Sequence, residues 1–202
     1  MDATDIEILD ATLAYRGYGR IDNYRLRHRL HDGRFGPPIL REVYHRGHVA
    51  AVLPYDPARD AVVLLEQFRI GAHLGGMRPW QTEAVAGMID GDETPEDVAR
   101  REAREEAGLA IHELVPIARY LVSPGAITET VALYCGRVDS RGAGGVHGLP
   151  EEGEDIKVET VPADRLAAML EDGTIANALT IIAVQWLLLH RDALRRRWAD
   201  LA

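Results

Sequence analysis

The chain has 202 residues, of which 47% are hydrophobic, with a net charge of −9 and a single cysteine. This length predicts one domain, or one domain with an extension, and the apolar content is sufficient for a buried core. The negative charge, with no basic stripe to offset it, argues against binding to a nucleic-acid backbone. One cysteine excludes an internal disulfide and favours a reducing compartment, so we expect a cytoplasmic protein.

Two further features argue against a membrane protein. The acidic N-terminal segment lacks the apolar core of a signal peptide. The longest apolar run, near Ile181–Leu189, is interrupted by Gln185 and is far shorter than the ~20 residues needed to span a bilayer. We therefore expect no membrane partner.

The first 45 residues predict a small β-meander ahead of the main body. Apolar and polar residues alternate in Ile6–Ala14 and Tyr24–Leu30, with a turn at Tyr15–Gly19 between them and a Gly/Pro turn at 31–38. A lobe of this size buries little surface alone, so it should pack on the main domain or on a second subunit. We expect residues 1–45 to form this lobe and residues 46–202 to form the main domain.

Strand patterns outnumber helix patterns, with one helix in the middle and two at the end, which predicts an α+β fold or a mixed α/β sandwich. A Gly-rich loop at 71–79 and a longer acidic loop at 139–153 interrupt the pattern, and loops of the second length are commonly functional. The predicted strands are His48–Tyr55, Ala61–Phe68, Trp80–Ala86, Val115–Val122, Glu129–Val138 and Ile156–Val161. The predicted helices are the run that begins at Pro95, Ala163–Glu171 and Asn177–Trp198.

The helix that begins at Pro95 carries an unusual concentration of negative charge. Thr94 is a suitable N-cap, Pro95 suits the first helical position, and Gly108 is a typical helix end. Three glutamates share one face of this helix: Glu102, Glu105 and Glu106. The pair at positions 102 and 106 should destabilise an isolated helix by roughly 0.2–0.5 kcal/mol. A hard divalent cation would explain this arrangement.

The same segment resembles the signature of the Nudix hydrolases at every position of fixed identity. The matching residues are Gly87, Glu93, Arg101, Glu102, Ala103, Glu105, Glu106, Gly108 and Leu109. The resemblance implies a Nudix-type α/β/α sandwich with a mixed sheet, preceded here by the antiparallel meander. It also implies hydrolysis of a pyrophosphate bond with Mg²⁺, for which Mn²⁺ can substitute, and two or three bound ions. The alternative interpretation of the charges is a solvated acidic helix face.

The resemblance also implies roles for individual residues. It makes Glu102 and Glu106 metal ligands, with the Ala86 carbonyl and Glu154 as further ligands, and leaves Glu105 either a ligand or an outer group. It implies that Glu93 and Arg101 pair to hold the loop on the helix, while Gly87 and Gly108 shape the backbone. The general base is expected at Glu152, with Glu151 as the alternative if the alignment is shifted by one residue.

The likeness extends over most of the chain and is closest to bacterial ADP-ribose pyrophosphatases. Pro124, fifteen residues past the signature, marks this subgroup, and residues 41–48, 66–69, 147–156 and 177–187 also resemble it. The implied substrate contacts are Tyr18, Arg41, Glu42, Arg46, Arg69, Met88, Ser123, Gly125 and Glu129. Arginine offers forked donors that suit phosphate and ribose oxygens, and the alternative for each arginine is a surface ion pair. The chain departs from the subgroup at Ala126, Pro150 and Gly153.

The subgroup predicts hydrolysis of ADP-ribose to AMP and ribose 5-phosphate by a homodimer with shared active sites. In that dimer Tyr18 would stack on adenine across the subunit interface, whereas its alternative is an ordinary exposed turn tyrosine. A GDP-mannose or other nucleotide-sugar pyrophosphatase is the alternative function. A non-catalytic module that senses ADP-ribose is the second alternative, but it predicts a degraded acidic cluster, whereas this cluster is complete.

Overall fold

The computed structural model describes residues 5–149 and 153–199. These residues divide into two compact units. The first comprises the residues up to His48 together with Tyr120–Val131, and the second comprises Val49–Arg119 and the residues from Ala132 onward. The boundary between the predicted lobe and main domain stays a prediction.

Regular elements account for most of the described residues. The strands are β1 (Ile6–Arg16), β2 (Arg20–His28), β3 (Ile39–His45), β4 (Val49–Asp56), β5 (Ala61–Phe68), β6 (Trp80–Glu83), β7 (Val85–Met88), β8 (Glu113–Leu121), β9 (Thr130–Arg137), β10 (Gly145–His147) and β11 (Ile156–Pro162). The helices are α1 (Ile70–Leu74), α2 (Pro95–Ala107), α3 (Leu166–Glu171, after a 3₁₀ turn at Ala163–Arg165) and α4 (Ala178–Trp198). None of the helices in residues 5–149 and 153–199 combines the length and apolarity needed to cross a bilayer.

The first unit is built on a three-stranded antiparallel sheet in the order β1-β2-β3. The turn between β1 and β2 is closed by the Gly17 N–H, which donates to the Gly19 carbonyl at 2.9 Å. Within the same unit, Tyr44 of β3 donates its N–H to the Ala126 carbonyl at 2.8 Å and accepts from the Thr128 N–H at 3.1 Å. The segment 120–131 is therefore tied to β3 by backbone hydrogen bonds.

A larger sheet has the strand order β10-β11-β5-β4-β9-β8, with β6 paired to β5 and β7 paired to β4. The pairs β10/β11, β11/β5, β4/β5, β4/β7 and β5/β6 are antiparallel. The Val138 N–H donates to the Tyr55 carbonyl at 3.0 Å, which places the ends of β4 and β9 side by side, as in a parallel pair. The sheet is mixed, so the predicted α+β class, with its antiparallel N-terminal meander, is confirmed.

Three local predictions differ from the structure. The strand predicted at Trp80–Ala86 is two strands, because β6 pairs with β5 and β7 with β4, and the chain changes partner at Ala84. The predicted loops at 71–79 and 139–153 contain α1 and the three-residue strand β10. Apolar alternation shows that a segment is extended, but it does not show which strand it pairs with.

Helix α2 reaches the core through small side chains. Val98, Ala99, Ala103 and Ala107 are buried, and the three alanines belong to the same cluster as core residues of β4, β5 and β7. Alanine adds little bulk, so the helix backbone approaches the sheet closely. As a consequence, Glu102 and Glu106 of α2 lie against strand β7, which precedes the helix in the chain.

Candidate active site

Helix α2 begins and ends at the residues predicted from the sequence, Thr94 with Pro95 at its start and Gly108 at its end. Thr94 has an extended backbone, and its hydroxyl oxygen accepts from the Asp97 N–H at 3.2 Å. Pro95 occupies the first turn, and Gly108 ends the helix in the left-handed region at φ 64°. These local contacts fix where the helix starts and stops, and therefore which way its glutamates face.

Gly87 brings strand β7 against the carboxylate of Glu102. A Cβ built on Gly87 would lie 1.7 Å from Glu102 Oε1 and 2.1 Å from its Cδ, which is far inside van der Waals contact. Any larger residue at this position would therefore displace the Glu102 carboxylate from the place it occupies. The glycine that opens the signature is explained by its close approach to a glutamate in the same signature.

Arg101 is the cation that organises the exposed side of the cluster. Its guanidinium donates to Glu93 Oε1 at 3.0 Å, to Glu102 Oε1 at 2.8 Å and to Glu105 Oε2 at 3.1 Å. It also donates to the Met88 carbonyl at 3.4 Å. The bond to Arg101 holds the pKa of Glu93 below its ordinary value. Arg101 and Glu93 therefore join the loop after β7 to the helix.

Glu106 lies on the opposite, buried side of the cluster. Its side chain is 3% exposed, and Oε2 accepts from the Ala86 N–H at 3.1 Å. Burial, together with the nearby charges of Glu102 and Glu154, raises its pKa to about 8, although the Ala86 bond opposes this. Burial also raises the pKa of Glu102, and Glu105 and Glu154 add to that shift. Two carboxylates here resist ionisation without a further cation.

Glu154 reaches the cluster from the acidic loop. Its Oε2 accepts from the Leu149 N–H at 2.9 Å, and its charge acts on both Glu102 and Glu106. His147 lies near the end of α2, where its ring is 3.1 Å from the position of a Cβ built on Gly108, and it bonds to the Gly144 carbonyl at 2.9 Å. The predicted base Glu152, its alternative Glu151, and Pro150 lie outside the described residues.

The donor set fits a hard divalent cation in its chemistry. Carboxylate oxygens crowd together, and the pKa values of Glu102 and Glu106 are raised. Ala86, whose carbonyl is the expected backbone ligand, lies on β7 and donates its N–H to Glu106. Within residues 5–149 and 153–199, no three His, Cys, Asp or Glu side chains are already arranged around a common ion position. Arg101 donates to Oε1 of Glu102, and the Ala86 N–H donates to Oε2 of Glu106, so one oxygen of each carboxylate already has a protein partner.

Arg69 lies at the edge of this region and is held by Glu83, a residue for which the sequence predicted no role in the site. Its Nε and Nη2 donate to Glu83 Oε2 at 3.0 and 2.8 Å, and its charge acts on Glu106. Glu83 is the last residue of β6, and its position, four residues before Gly87, is the signal that could have identified it. Glu83 therefore orients the arginine that was predicted to contact substrate.

Other predicted substrate residues lie in the first unit. Arg46 Nε is 3.1 Å from Glu129 Oε2, and Glu129 is 7% exposed, yet this oxygen accepts no well-directed hydrogen bond from the described residues. Arg41 is exposed and donates to the Leu40 carbonyl at 2.7 Å. Tyr18 is 83% exposed in the β1–β2 turn. The remaining predicted residues of this unit are exposed: Glu42 on β3, and Ser123 and Gly125 in the turn after β8.

The larger of two cavities among the described residues lies away from the acidic cluster. A cavity of about 1030 Å³ opens between the β4–β5 turn and the C-terminal part of α4, where Arg59, Arg137 and Arg195 contribute to its walls. None of the predicted site residues lines it. The cluster is instead recognised by its crowded carboxylates and by the glycine that accommodates one of them.

Comparisons with known proteins place these features in a family. The protein-family model for the NUDIX domain matches residues 45–181. The ADP-ribose pyrophosphatase of Escherichia coli (strain K12) is 47% identical over 195 residues, which cover 96% of this chain and 93% of that protein. The ADP-ribose pyrophosphatase of Haemophilus influenzae is 41% identical over 197 residues, covering 96% of this chain and 91% of that protein.

More distant similarities agree in fold. The GDP-mannose pyrophosphatase of Pectobacterium atrosepticum is 36% identical over 151 residues, covering 72% of this chain and 75% of that protein. A crystal structure of an ADP compounds hydrolase superposes with a TM-score of 0.73 at 17% identity, covering 96% of both chains. Since the family model spans residues 45–181 and the signature residues form one cluster on α2, this chain belongs to the Nudix family.

Proposed function

We propose that this protein hydrolyses the pyrophosphate bond of ADP-ribose to AMP and ribose 5-phosphate with Mg²⁺, or Mn²⁺ in its place. The observation that carries the reaction class is the buried carboxylate of Glu106, which is crowded by the negative charges of Glu102 and Glu154. The substrate is supported by the relatives, because identity is 47% with an ADP-ribose pyrophosphatase and 36% with a GDP-mannose pyrophosphatase.

The metal site that we propose uses the carboxylates of Glu102, Glu106 and Glu154 and the carbonyl of Ala86. Glu105 stays either a ligand or an outer group, since Arg101 holds it at 3.1 Å. When bound, two or three divalent ions would neutralise the diphosphate and acidify the attacking water. The chain itself supplies oxygen donors on a rigid helix and strand, which suits ions that retain some of their own water.

Substrate binding is assigned to arginines that present forked donors. Arg69 is preorganised by its two bonds to Glu83, so less rotamer freedom is lost when it contacts a phosphate or ribose oxygen. Arg41, Arg46 and Glu129 remain proposed contacts, as do Glu42, Ser123, Gly125 and Met88. Arg41 and Arg46 are both exposed, which leaves their guanidinium groups accessible to an anion.

We assign Glu152 the role of general base, which accepts the proton of the attacking water. We expect Glu152→Gln to lower kcat strongly while leaving affinity for Mg²⁺ close to that of the unmodified protein, because a base acts on the water rather than on the ion. Glu151→Gln is the matched control, one residue away with the same loss of charge. If Glu151→Gln is the damaging change, the base is Glu151, and if neither lowers kcat, the base lies elsewhere.

We propose a homodimer in which the N-terminal lobe, residues 1–45, forms much of the interface. Support comes from apolar side chains that the sheet leaves exposed, since Ile8, Leu13 and Tyr15 of β1 and Leu40 of β3 are each more than half exposed. Several large apolar side chains exposed on one small sheet are typical of an interaction surface. In this dimer Tyr18 would stack on the adenine bound by the partner subunit. Light scattering that gives a monomer mass at micromolar concentration would contradict this assignment.

The substrate assignment is tested by product identification. AMP release from ADP-ribose is compared with GMP release from GDP-mannose at equal concentrations and with Mg²⁺ present. We expect a clear preference for ADP-ribose, and a large preference for GDP-mannose would overturn the assignment in favour of the second candidate. Binding of ADP-ribose without turnover would instead indicate a sensing module. The single cysteine, Cys135, supports a cytoplasmic location for this activity.

A further inference from the structure

The break between β6 and β7 leaves one buried backbone group without a partner in the sheet. Glu83 is the last residue that pairs with β5, opposite Leu65, and Val85 is the first that pairs with β4, opposite Val52. Ala84 lies between them and is 2% exposed. Its N–H belongs to neither ladder, and a buried N–H without a partner is costly.

The first turn of α4 supplies the missing partner. Thr180, which is fully buried, accepts from the Ala84 N–H through Oγ1 at 2.9 Å. Asn177 caps α4 by accepting from the Thr180 N–H at 3.0 Å and also donates from Nδ2 to the Thr82 carbonyl at 2.9 Å. We call Asn177 and Thr180 the α4 clamp, because they hold the chain on both sides of Glu83.

The clamped segment carries two contacts of the proposed active site. Glu83, between the two clamped groups, accepts both hydrogen bonds from Arg69. Ala86, two residues beyond Ala84, donates its N–H to Glu106 at 3.1 Å. A shift of the segment would therefore move the arginine and the buried carboxylate together, because both are held by groups on the same few residues of backbone.

We propose that the α4 clamp is a positioning device, which sets Glu106 through Ala86 and Arg69 through Glu83. The expected effect of the clamp on turnover rests on the proposed function. Its expected effects on Mn²⁺ binding and amide exchange do not. Neither clamp residue needs to touch substrate or metal.

We expect helix α4 to stay docked when the clamp is removed. Ala183, Val184, Leu187, Leu194 and Trp198 of the same helix are buried. These apolar contacts lie beyond the first turn and do not depend on the Thr180 hydroxyl. Removing that hydroxyl should therefore free the Thr82–Ala86 segment while the rest of the helix remains packed. This separates a positioning role from a role in holding the helix on the sheet.

The first experiment replaces Thr180 by valine, which keeps the shape and removes the acceptor, and by serine, which keeps the hydroxyl. Mn²⁺ binding to the metal-free protein is titrated by electron paramagnetic resonance, and hydrogen exchange is measured for the amides of Ala84 and Ala86. We expect Thr180→Val to weaken Mn²⁺ binding about tenfold, as is typical for residues that support metal ligands, and to speed exchange at both amides. Thr180→Ser should restore both values.

Ser140→Ala is the matched control for stability. Ser140 is buried, and its hydroxyl donates to Asp56 Oδ2 at 2.7 Å, so this variant also loses one buried hydroxyl bond in the same unit. It should lower the unfolding temperature without changing Mn²⁺ binding or exchange at Ala86. If Thr180→Val behaves like Ser140→Ala in these two measurements, the clamp only stabilises the fold and the proposal is wrong.

A second variant tests the arginine branch. Asn177→Asp keeps the oxygen that caps α4 but replaces the donor to the Thr82 carbonyl by a second oxygen. We expect a rise of about tenfold in KM for ADP-ribose with a smaller change in kcat, since Arg69 is displaced through Glu83. An unchanged KM would overturn this branch. If the unmodified protein hydrolyses no nucleotide sugar, the proposed function fails, while Mn²⁺ binding and amide exchange still decide the clamp.

Discussion

Two carboxylates in the second unit, Glu106 and Asp60, are both largely shielded from solvent, but their surroundings shift their pKa values in opposite directions. Glu106 of α2 has one backbone donor, the Ala86 N–H, and further carboxylates for neighbours. Asp60, in the β4–β5 turn, accepts from the Tyr55 hydroxyl at 2.6 Å and from Arg191 Nε at 2.8 Å, and Arg195 lies 3.3 Å away. The pKa of Glu106 is raised to about 8, whereas the pKa of Asp60 is lowered, chiefly by the bond to Arg191.

The difference separates a structural carboxylate from a functional one. The charge of Asp60 is compensated by guanidinium groups of α4, so the turn and the helix are joined without any ligand. The charge of Glu106 is offset only in part, by the Ala86 N–H and the charge of Arg69, and a low-dielectric site disfavours such a charge. A fold retains an arrangement of the second kind at a cost, which is the expected mark of a site completed by a cation.

The largest expected effect comes from neutralising Glu106. Glu106→Gln keeps an oxygen that can accept from the Ala86 N–H but removes the negative charge. We expect turnover of ADP-ribose to fall by more than about 100-fold, since even residues that only support metal ligands cost 10–100-fold. Glu159→Gln, an exposed carboxylate of β11 paired with Lys157, is the control and should retain full activity. Undiminished turnover in Glu106→Gln would remove Glu106 from the metal site.

The same substitution should stabilise the metal-free fold in a pH-dependent way. Because the folded pKa of Glu106 is raised above its unfolded value of 4.5, the native state binds more protons than the unfolded state between pH 4.5 and about 8. Stability of the unmodified protein therefore falls as pH rises through this window. One pKa unit corresponds to about 1.4 kcal/mol, and after relaxation of the site we expect Glu106→Gln to gain about 2 kcal/mol at pH 8.

Urea unfolding in the presence of a chelator measures this gain. The advantage of Glu106→Gln should vanish well below pH 4.5, where glutamate is protonated in both states. It should shrink again when saturating Mg²⁺ is added at pH 8, because the ion binds only the unmodified site. An advantage that is constant with pH would mean that the glutamine stabilises by packing, and the contrast with Asp60 would lose its electrostatic basis.

Sequence reasoning identified the features that are encoded locally. The bounds of α2 follow from Thr94, Pro95 and Gly108, which act within one turn of the helix ends. It placed Glu102, Glu105 and Glu106 on one face but could not rank their burial: Glu105 Oε2 bonds to Arg101, while Glu106 is 3% exposed. That ranking depends on how α2 packs on the sheet.

Contacts between distant parts of the chain were not predictable in this way. Ala84 and Thr180 are 96 residues apart and Asp60 and Arg191 are 131 apart, so no local pattern links them. The change of strand partner at Ala84 is likewise a property of the assembled sheet. The residues expected to touch metal and substrate were inferred from the resemblance to the Nudix family, whereas those that hold them in place required the fold.

The smallest expected effect concerns Asp60. Asp60→Asn removes the charge but suits the backbone, because asparagine tolerates the positive φ of 52° at this position. We expect a loss of about 1–2 kcal/mol in the free energy of unfolding at pH 7, the scale of hydrogen bonds to charged groups discounted for partial exposure. Asp32→Asn, which breaks an exposed pair with Arg34, should change stability little.

The stability contributed by Asp60 depends on pH in the opposite direction to that of Glu106. The folded pKa of Asp60 lies below its ordinary value of 3.8, so the ionised carboxylate stabilises the fold above that pH, and the contribution is lost as pH falls through the folded pKa. The deficit of Asp60→Asn should therefore be largest near neutral pH and shrink below about pH 4. Urea unfolding at several pH values measures it. A deficit that grows on acidification would show that Asp60 is not held by Arg191, and that the two carboxylates do not differ in the way their partners imply.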